Sequence, residues 1–268
     1  VKYIIYCSIA MIVCFGLGFI AAHFIFKQKK HRKVKTAITT VLGGVALMAA
    51  VTLCYLGIYY HAGEQAAVAL GGSDEISVTK IDCGYFFDSK ESDCALIFYG
   101  GAKVECEAYA PLMTELAQNG IDCFLIDMPF NFAIIGANKA DAVLAKYDYE
   151  TVIMAGHSMG GMMAAKYANS HVSDIDGLVL LASYSTEKID DGISVLSIYG
   201  SCDGCLDKAE YIKNKVRPKN MHEIIIDGGN HSGFADYGEQ KGDGVATITA
   251  SEQQSITAKA IADYFKTK

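Results

Sequence analysis

Two long runs without a charged side chain, Tyr3 to Phe26 and Thr36 to Tyr60, constrain this chain more than any other feature. Each is long enough to cross a hydrocarbon core of about 30 Å as a helix, the form that satisfies its own backbone groups where water is absent. Between them Lys27-Gln28-Lys29-Lys30-His31-Arg32-Lys33-Val34-Lys35 carries six Lys or Arg in nine residues, and short basic loops stay cytoplasmic. The expected organisation is a two-helix transmembrane hairpin over residues 1–61, with its basic loop 27–35 inside the cell. The N-terminus and everything after Tyr60 then lie on the outer side. Only Lys2 precedes the first run, and no small-x-small site is followed by a polar start, so a retained hairpin is favoured over a cleaved signal peptide.

Residues 62–75 are rich in Gly and Ala without a strong period and read as a linker; residues 76–268 read as one enzyme-like domain. After Tyr60 there are 16 Lys or Arg against 30 Asp or Glu, a formal charge of −14. Such an acidic surface excludes a nucleic-acid partner and suits a domain held near a bilayer by helices rather than by lipid head groups. Six of the nine cysteines lie outside the two runs, where an oxidising compartment would let them pair. Cys94 and Cys123 sit in apolar runs and suit buried free thiols.

From Ile76 onward, short β-type runs alternate with helical patterns, as in a parallel sheet covered on both faces by helices. Ile76 to Ile81 and Gly84 to Phe87 form a first strand pair. Buried strands are expected at Ala95–Tyr99, Ile121–Asp127, Thr151–Ala155, Gly177–Ala182, Ile193–Tyr199 and His222–Ile226. Helices are expected at Glu105–Gln118, Asn138–Tyr147, Met159–Ser170, Asp207–Lys215 and Ser251–Phe265.

Gly156-His157-Ser158-Met159-Gly160 stands between a strand and a helix. A serine hydroxyl needs a base to take its proton and donors for the developing oxyanion. In a Gly-x-Ser-x-Gly turn the glycines let neighbouring backbones approach a strained serine, and the following helix aims free N–H groups at the reacting oxygen. An acid and a histidine follow it along the chain, each just after an apolar strand. Asp203 comes directly after the strand ending at Tyr199, where open α/β sheets carry their functional loops. His231 follows the last strand behind Gly228-Gly229. His157 adjoins the serine but projects elsewhere, His171 ends a helix and His222 begins a strand.

With those residues in view, the stretch from about Cys94 to Phe265 resembles α/β-hydrolase fold proteins of the dienelactone-hydrolase-like and compact-esterase group. The matching segments are Phe98-Tyr99-Gly100-Gly101-Ala102-Lys103-Val104, the elbow Gly156 to Gly160, and Gly200-Ser201-Cys202-Asp203-Gly204 with Gly229-Asn230-His231. The resemblance implies a doubly wound, mostly parallel sheet and a Ser158, Asp203, His231 triad. It also implies two oxyanion donors, the amide of Met159 and that of Gly101 or Ala102. Dienelactone hydrolases proper carry a cysteine nucleophile, whereas this elbow carries Ser158. The implied chemistry is acyl transfer to Ser158 Oγ, with His231 as base and then acid and Asp203 fixing its tautomer.

Only Ser183 to Gly192 separates the two strands between which hydrolases of this fold often insert a helical lid, so no lid domain and a shallow, open site are expected. The polar loop Phe234 to Gly244 lacks the Asp-x-Asp-x-Asp-Gly spacing of a calcium loop and reads as a solvated edge of the pocket. Cys202-Asp203-Gly204-Cys205 has no second cysteine pair to complete a zinc site; a local disulfide there would stiffen the acid loop. No cofactor or metal is expected. The expected partner is a small-molecule, lipid or glycan ester, cleaved by a membrane-integral serine hydrolase whose domain is extracytoplasmic. An acyltransferase of the same chemistry and a non-catalytic hydrolase-fold membrane protein are the alternatives; sequence leaves the oligomeric state open.

Overall fold

The computed structural model describes residues 2–25, 32–215, 218–219 and 221–266, which fall into two compact units, Val1–Ile58 and Tyr59–Lys268. The first holds α1 (Lys2–Ile25) and α2 (Arg32–Leu56), which pack with Gly18 against Thr40 and Gly44 against the Phe15 ring. Within α2, residues 35–56 have a mean hydropathy of 2.1 and are long and apolar enough to cross a membrane; the apolar stretch described in α1, residues 12–24, is shorter. Length and composition therefore support one crossing helix where two are expected from the sequence. Of the basic loop 27–35, residues 27–31 lie outside the described residues, and Arg32 to Lys35 open α2.

The second unit begins differently from expectation. Residues 62–75 contain a helix, α3 (Glu64–Leu70), with Ala66 fully buried. Tyr60 donates its N–H to Lys103 O at 2.7 Å and accepts from Glu105 N at 2.9 Å, while the Ala66 amide donates to the Asp236 carboxylate at 2.8 Å. The segment read as a linker is thus partly helical and bonded to the domain, with Ala66 small enough to be enclosed.

Eight strands follow: β1 (Ser77–Ile81), β2 (Gly84–Asp88), β3 (Cys94–Tyr99), β4 (Asp122–Ile126), β5 (Thr151–His157), β6 (Gly177–Leu181), β7 (Ser194–Gly200) and β8 (Met221–Ile226). They form one sheet in the order β1-β2-β4-β3-β5-β6-β7-β8. β1 pairs antiparallel with β2, and β2 antiparallel with β4; every pairing from β4 to β8 is parallel. The central strands β3, β4 and β6 are buried at every residue, as unbroken apolar runs require when helices cover both faces.

Those helices are α4 (Ala110–Gln118), α5 (Asp141–Leu144), α6 (Met159–Ser170), α7 (Lys208–Asn214) and α8 (Ala250–Lys266). Because strand side chains alternate, Leu96 and Phe98 join Leu112, Met113 and Leu116 of α4 and Ala258 and Ile261 of α8 in one core. Ile97 and Tyr99 join Ala164, Ala165 and Tyr167 of α6 in the other. Each large side chain so buried contributes about 1.5–3 kcal/mol, which fixes the strand register and hence the strand ends. The helix expected at Asn138–Tyr147 is shorter than anticipated: it opens with separate i→i+3 bonds, such as Lys139 N to Gly136 O, before the single α-turn of α5.

The parallel register brings the C-terminal ends of β3, β5, β7 and β8 to one edge, with Tyr99 beside Gly156 and Gly200 beside Ile226. Loops at that edge are where open α/β sheets assemble ligand sites.

Candidate active site

Ser158 lies between β5 and α6 with φ 53° and ψ −122°. A left-handed φ at a residue with a Cβ costs on the order of 1–3 kcal/mol and persists only where the surroundings enforce it. Here they do. Ser158 N donates to Leu181 O at 2.9 Å, and the Ser183 hydroxyl donates to Ser158 O at 2.6 Å. A Cβ on Gly160 would stand 2.1 Å from Tyr99 O and 2.4 Å from Gly100 O, so only glycine lets α6 start against the loop after β3. The carbonyl of Ser158 accepts from Gly161 and Met162. Met159, the first residue of α6, therefore carries an N–H with no acceptor in its own helix.

Asp203 and His231 are brought together. His231 Nδ1 lies 2.9 Å from Asp203 Oδ2, and each residue is only 3% exposed. The other carboxylate oxygen accepts from the amides of Cys205 and Leu206, both at 2.8 Å. A carboxylate so placed assigns the imidazole proton to Nδ1 and leaves Nε2 with its lone pair, as a general base requires. Ser158 Oγ is not hydrogen-bonded to His231 in the described residues; such contacts often tighten only when substrate is bound.

Beneath this pair runs a second chain of contacts. The Gly101 amide donates to Tyr109 Oη at 2.8 Å, and Tyr109 Oη lies 2.9 Å from His157 Nδ1. With Gly101 donating to it, the tyrosine hydroxyl is assigned as donor to His157 Nδ1. Burial pushes the Tyr109 hydroxyl up, so it keeps its proton. His157 is fully enclosed, its ring centroid 4.5 Å from that of His231. Burial, then the neighbouring His231, hold its pKa well below the usual histidine range. It is a neutral packing residue, and its Nε2 has no hydrogen-bond partner among the described residues.

This arrangement corrects one expectation. Gly101 cannot offer an oxyanion donor while its N–H is engaged by Tyr109. Ala102, half-buried at the same turn, has no protein acceptor for its amide among the described residues.

Asp243 was missed by sequence reasoning, which took its loop for a solvated edge. Its carboxylate accepts from the amides of Gly204, His231 and Ser232. Burial raises its pKa, but those bonds and one from Gly244 outweigh it and hold the group below the ordinary aspartate value. No sequence signal marks it, because its partners lie 39 and about a dozen residues away. Cys202 and Cys205 are free, so no disulfide stiffens the acid loop; Cys205 Sγ instead accepts from Gln240 at 3.2 Å. Cys94 and Cys123 are buried free thiols. Among the described residues no cluster of three or more His, Cys, Asp or Glu is arranged to hold a metal ion.

A family model described as the alpha/beta hydrolase family matches residues 95–255. The chain belongs to the alpha/beta hydrolase family. Its fold is similar to that of a CIB-like hydrolase from Thermoplasma acidophilum, at TM-score 0.54 and 14% identity, covering 70% of this chain and 99% of that one. It is also similar to an esterase from Mycobacterium tuberculosis, at TM-score 0.53 and 11% identity over 76% and 97% of the two chains. An epoxide hydrolase from Vigna radiata gives TM-score 0.55 at 10% identity, over 74% and 100%. At these identities the likeness speaks to the fold alone. A protein of Mycobacterium phage D29 bearing the name non-heme haloperoxidase is 28% identical over 110 residues, which is 37% of this chain and 40% of that protein.

Proposed function

We propose that this protein is a membrane-tethered serine hydrolase that cleaves a carboxylic ester or thioester through an acyl-enzyme intermediate. The observation that carries the reading is the buried Asp203–His231 pair, 2.9 Å apart, on the same sheet edge as a serine held at φ 53°. Ser158 Oγ attacks the acyl carbon while His231 Nε2 takes its proton. Asp203 stabilises the imidazolium, and the amides of Met159 and Ala102 receive the oxyanion. His231 then protonates the leaving group and activates water to release the acyl chain. A positioned base supplies about 10²–10⁴-fold and an oxyanion donor about 10²–10³-fold.

Beside the turn that carries Ala102, Asn131 O accepts from Lys103 N at 2.8 Å, and the loop running on from Asn131 exposes Ile134 and Ile135 at 62% and 55%, with Phe130 at 55% before it. With only Ser183–Gly192 where a lid would insert, these apolar side chains offer an open rim that suits an acyl chain. Tethering rests on residues 35–56 of α2; with α1 as its partner span and the basic loop 27–35 inside, the catalytic unit is extracytoplasmic.

Full-length protein in native membranes, treated with a fluorophosphonate probe, should be labelled, and Ser158→Ala should not. Unlabelled wild type, or equal labelling of the variant, overturns the serine-hydrolase reading. A C-terminal reporter active only in the cytoplasm would overturn the orientation.

A further inference from the structure

Three loops meet behind the Asp203–His231 pair: the acid loop after β7, the base loop after β8, and the segment at Gly242 to Gly244. The first two touch directly through Cys202 N to Gly229 O at 2.8 Å, close to their strand ends; Gln253 of α8 also holds the base loop at Asn230, and the third segment bonds the backbone of both loops beside Asp203 and His231. Asp243 Oδ1 accepts from Gly204 N and from His231 N, both at 3.1 Å, and Oδ2 accepts from Ser232 N at 2.8 Å. One carboxylate thus bonds the residue after the acid and both the base and the residue after it. The fit is close: a Cβ on Gly244 would stand 1.9 Å from Cys202 O, so the segment lies directly on the acid loop. It is anchored at its far side by Asn230 Nδ2, which donates to Gly244 O at 2.8 Å.

We propose that Asp243 is a positioning residue of the catalytic site, which holds the backbone of Asp203's loop and that of His231 in one frame so that the pair keeps its hydrogen bond. It touches no substrate. The inference rests on the hydrolase reading above and deepens it. An aspartate suits the task because three amides converge on it, and an ionised carboxylate offers about four acceptor sites with no donor to clash with an N–H. Displacement of a catalytic group by about 1 Å is enough to cost on the order of 10²-fold in rate.

The test uses the full-length protein in detergent, with turnover of a short p-nitrophenyl ester, the rate of fluorophosphonate labelling and the thermal melt measured together. Asp243→Ala should lower kcat and the labelling rate together by about 10- to 100-fold while KM changes less than about threefold, because binding surfaces are untouched. Asp243→Asn keeps one acceptor oxygen for the Gly204 and His231 amides but turns a donor toward Ser232, and should recover part of the loss. Glu239→Gln removes the same charge from an exposed position on the same loop and should behave as wild type. Wild-type labelling of Asp243→Ala, a rise in KM at unchanged kcat, or activity that falls only in step with the melt in both Asp243 variants would overturn the proposal. Unlabelled wild type would instead overturn the hydrolase reading beneath it.

Discussion

The two halves of the candidate site are built by different means. Ser158 is held by close backbone packing: Gly160 lets α6 start against the loop after β3, and Leu181 and Ser183 bond the serine's own backbone at the left-handed φ. Asp203 and His231 are held by hydrogen bonds: Asp203 by the amides of Cys205 and Leu206 in its own loop, His231 by Asp203 and by the carboxylate of Asp243. The serine turn is thus mainly a matter of close backbone sterics, and the candidate acid–base pair one of hydrogen bonding. Steric enforcement should fail abruptly when a single atom is added, whereas a hydrogen-bonded frame should fail by degrees.

The sharpest test removes the nucleophile itself. Ser158→Ala is expected to lower kcat by at least about 10⁴-fold with an unchanged melt, and retained ester turnover would show that the elbow is only structural. Asp203→Asn should cost about 10²–10⁴-fold in kcat, since an amide can present an N–H to His231 and favour the wrong tautomer; an effect under tenfold would detach Asp203 from the chemistry. Gly160→Ala should show the abrupt failure. Its Cβ meets two backbone carbonyls, and a loss of about 3 kcal/mol or more, a melt lower by roughly 6–12 °C, is expected. A wild-type melt would refute steric enforcement.

Smaller effects probe the layer beneath. Tyr109→Phe leaves the Gly101 amide and His157 Nδ1 buried without a partner, at about 1–3 kcal/mol each, readable in urea unfolding of the full-length chain. His157 gives a pH signature. Its folded pKa is depressed by burial, so below about pH 6.5 the unfolded chain binds a proton there that the folded chain does not. The stability this residue contributes above that pH is lost as pH falls, at up to about 1.4 kcal/mol per unit. Unfolding measured at pH 7 and pH 5 should show His157→Gln with a slope shallower by one proton; identical slopes would mean that the ring is charged or exposed.

The same contrast explains what could be read without coordinates. All eight strands were legible, because apolar runs such as Ala95–Tyr99 and Gly177–Leu181 state their burial directly. So was the elbow, whose glycines and serine are contiguous. Asp203 and His231 were legible by position, each just after an apolar strand. Asp243 was not, since an aspartate between glycines in a polar loop looks the same whether it faces water or three amides. The engagement of Gly101 was hidden for a similar reason: it depends on where α4's approach sets Tyr109, eight residues on. The helix within 62–75 was hidden because seven residues rich in Ala show no clear apolar period.

Tyr60 reaches further than its bonds to Lys103 and Glu105 suggest. Its phenol oxygen also accepts from Lys241 N at 3.2 Å, and its ring lies 5.3 Å from that of Tyr237, so one residue joins the turn that carries Ala102 to the loop that carries His231. Anyone trimming this protein for soluble expression would naturally cut at Ile76, where the sheet begins. Such a product would keep every strand together with Ser158, Asp203 and His231, yet lose the strut between two loops of the candidate site. The useful boundary is Tyr59.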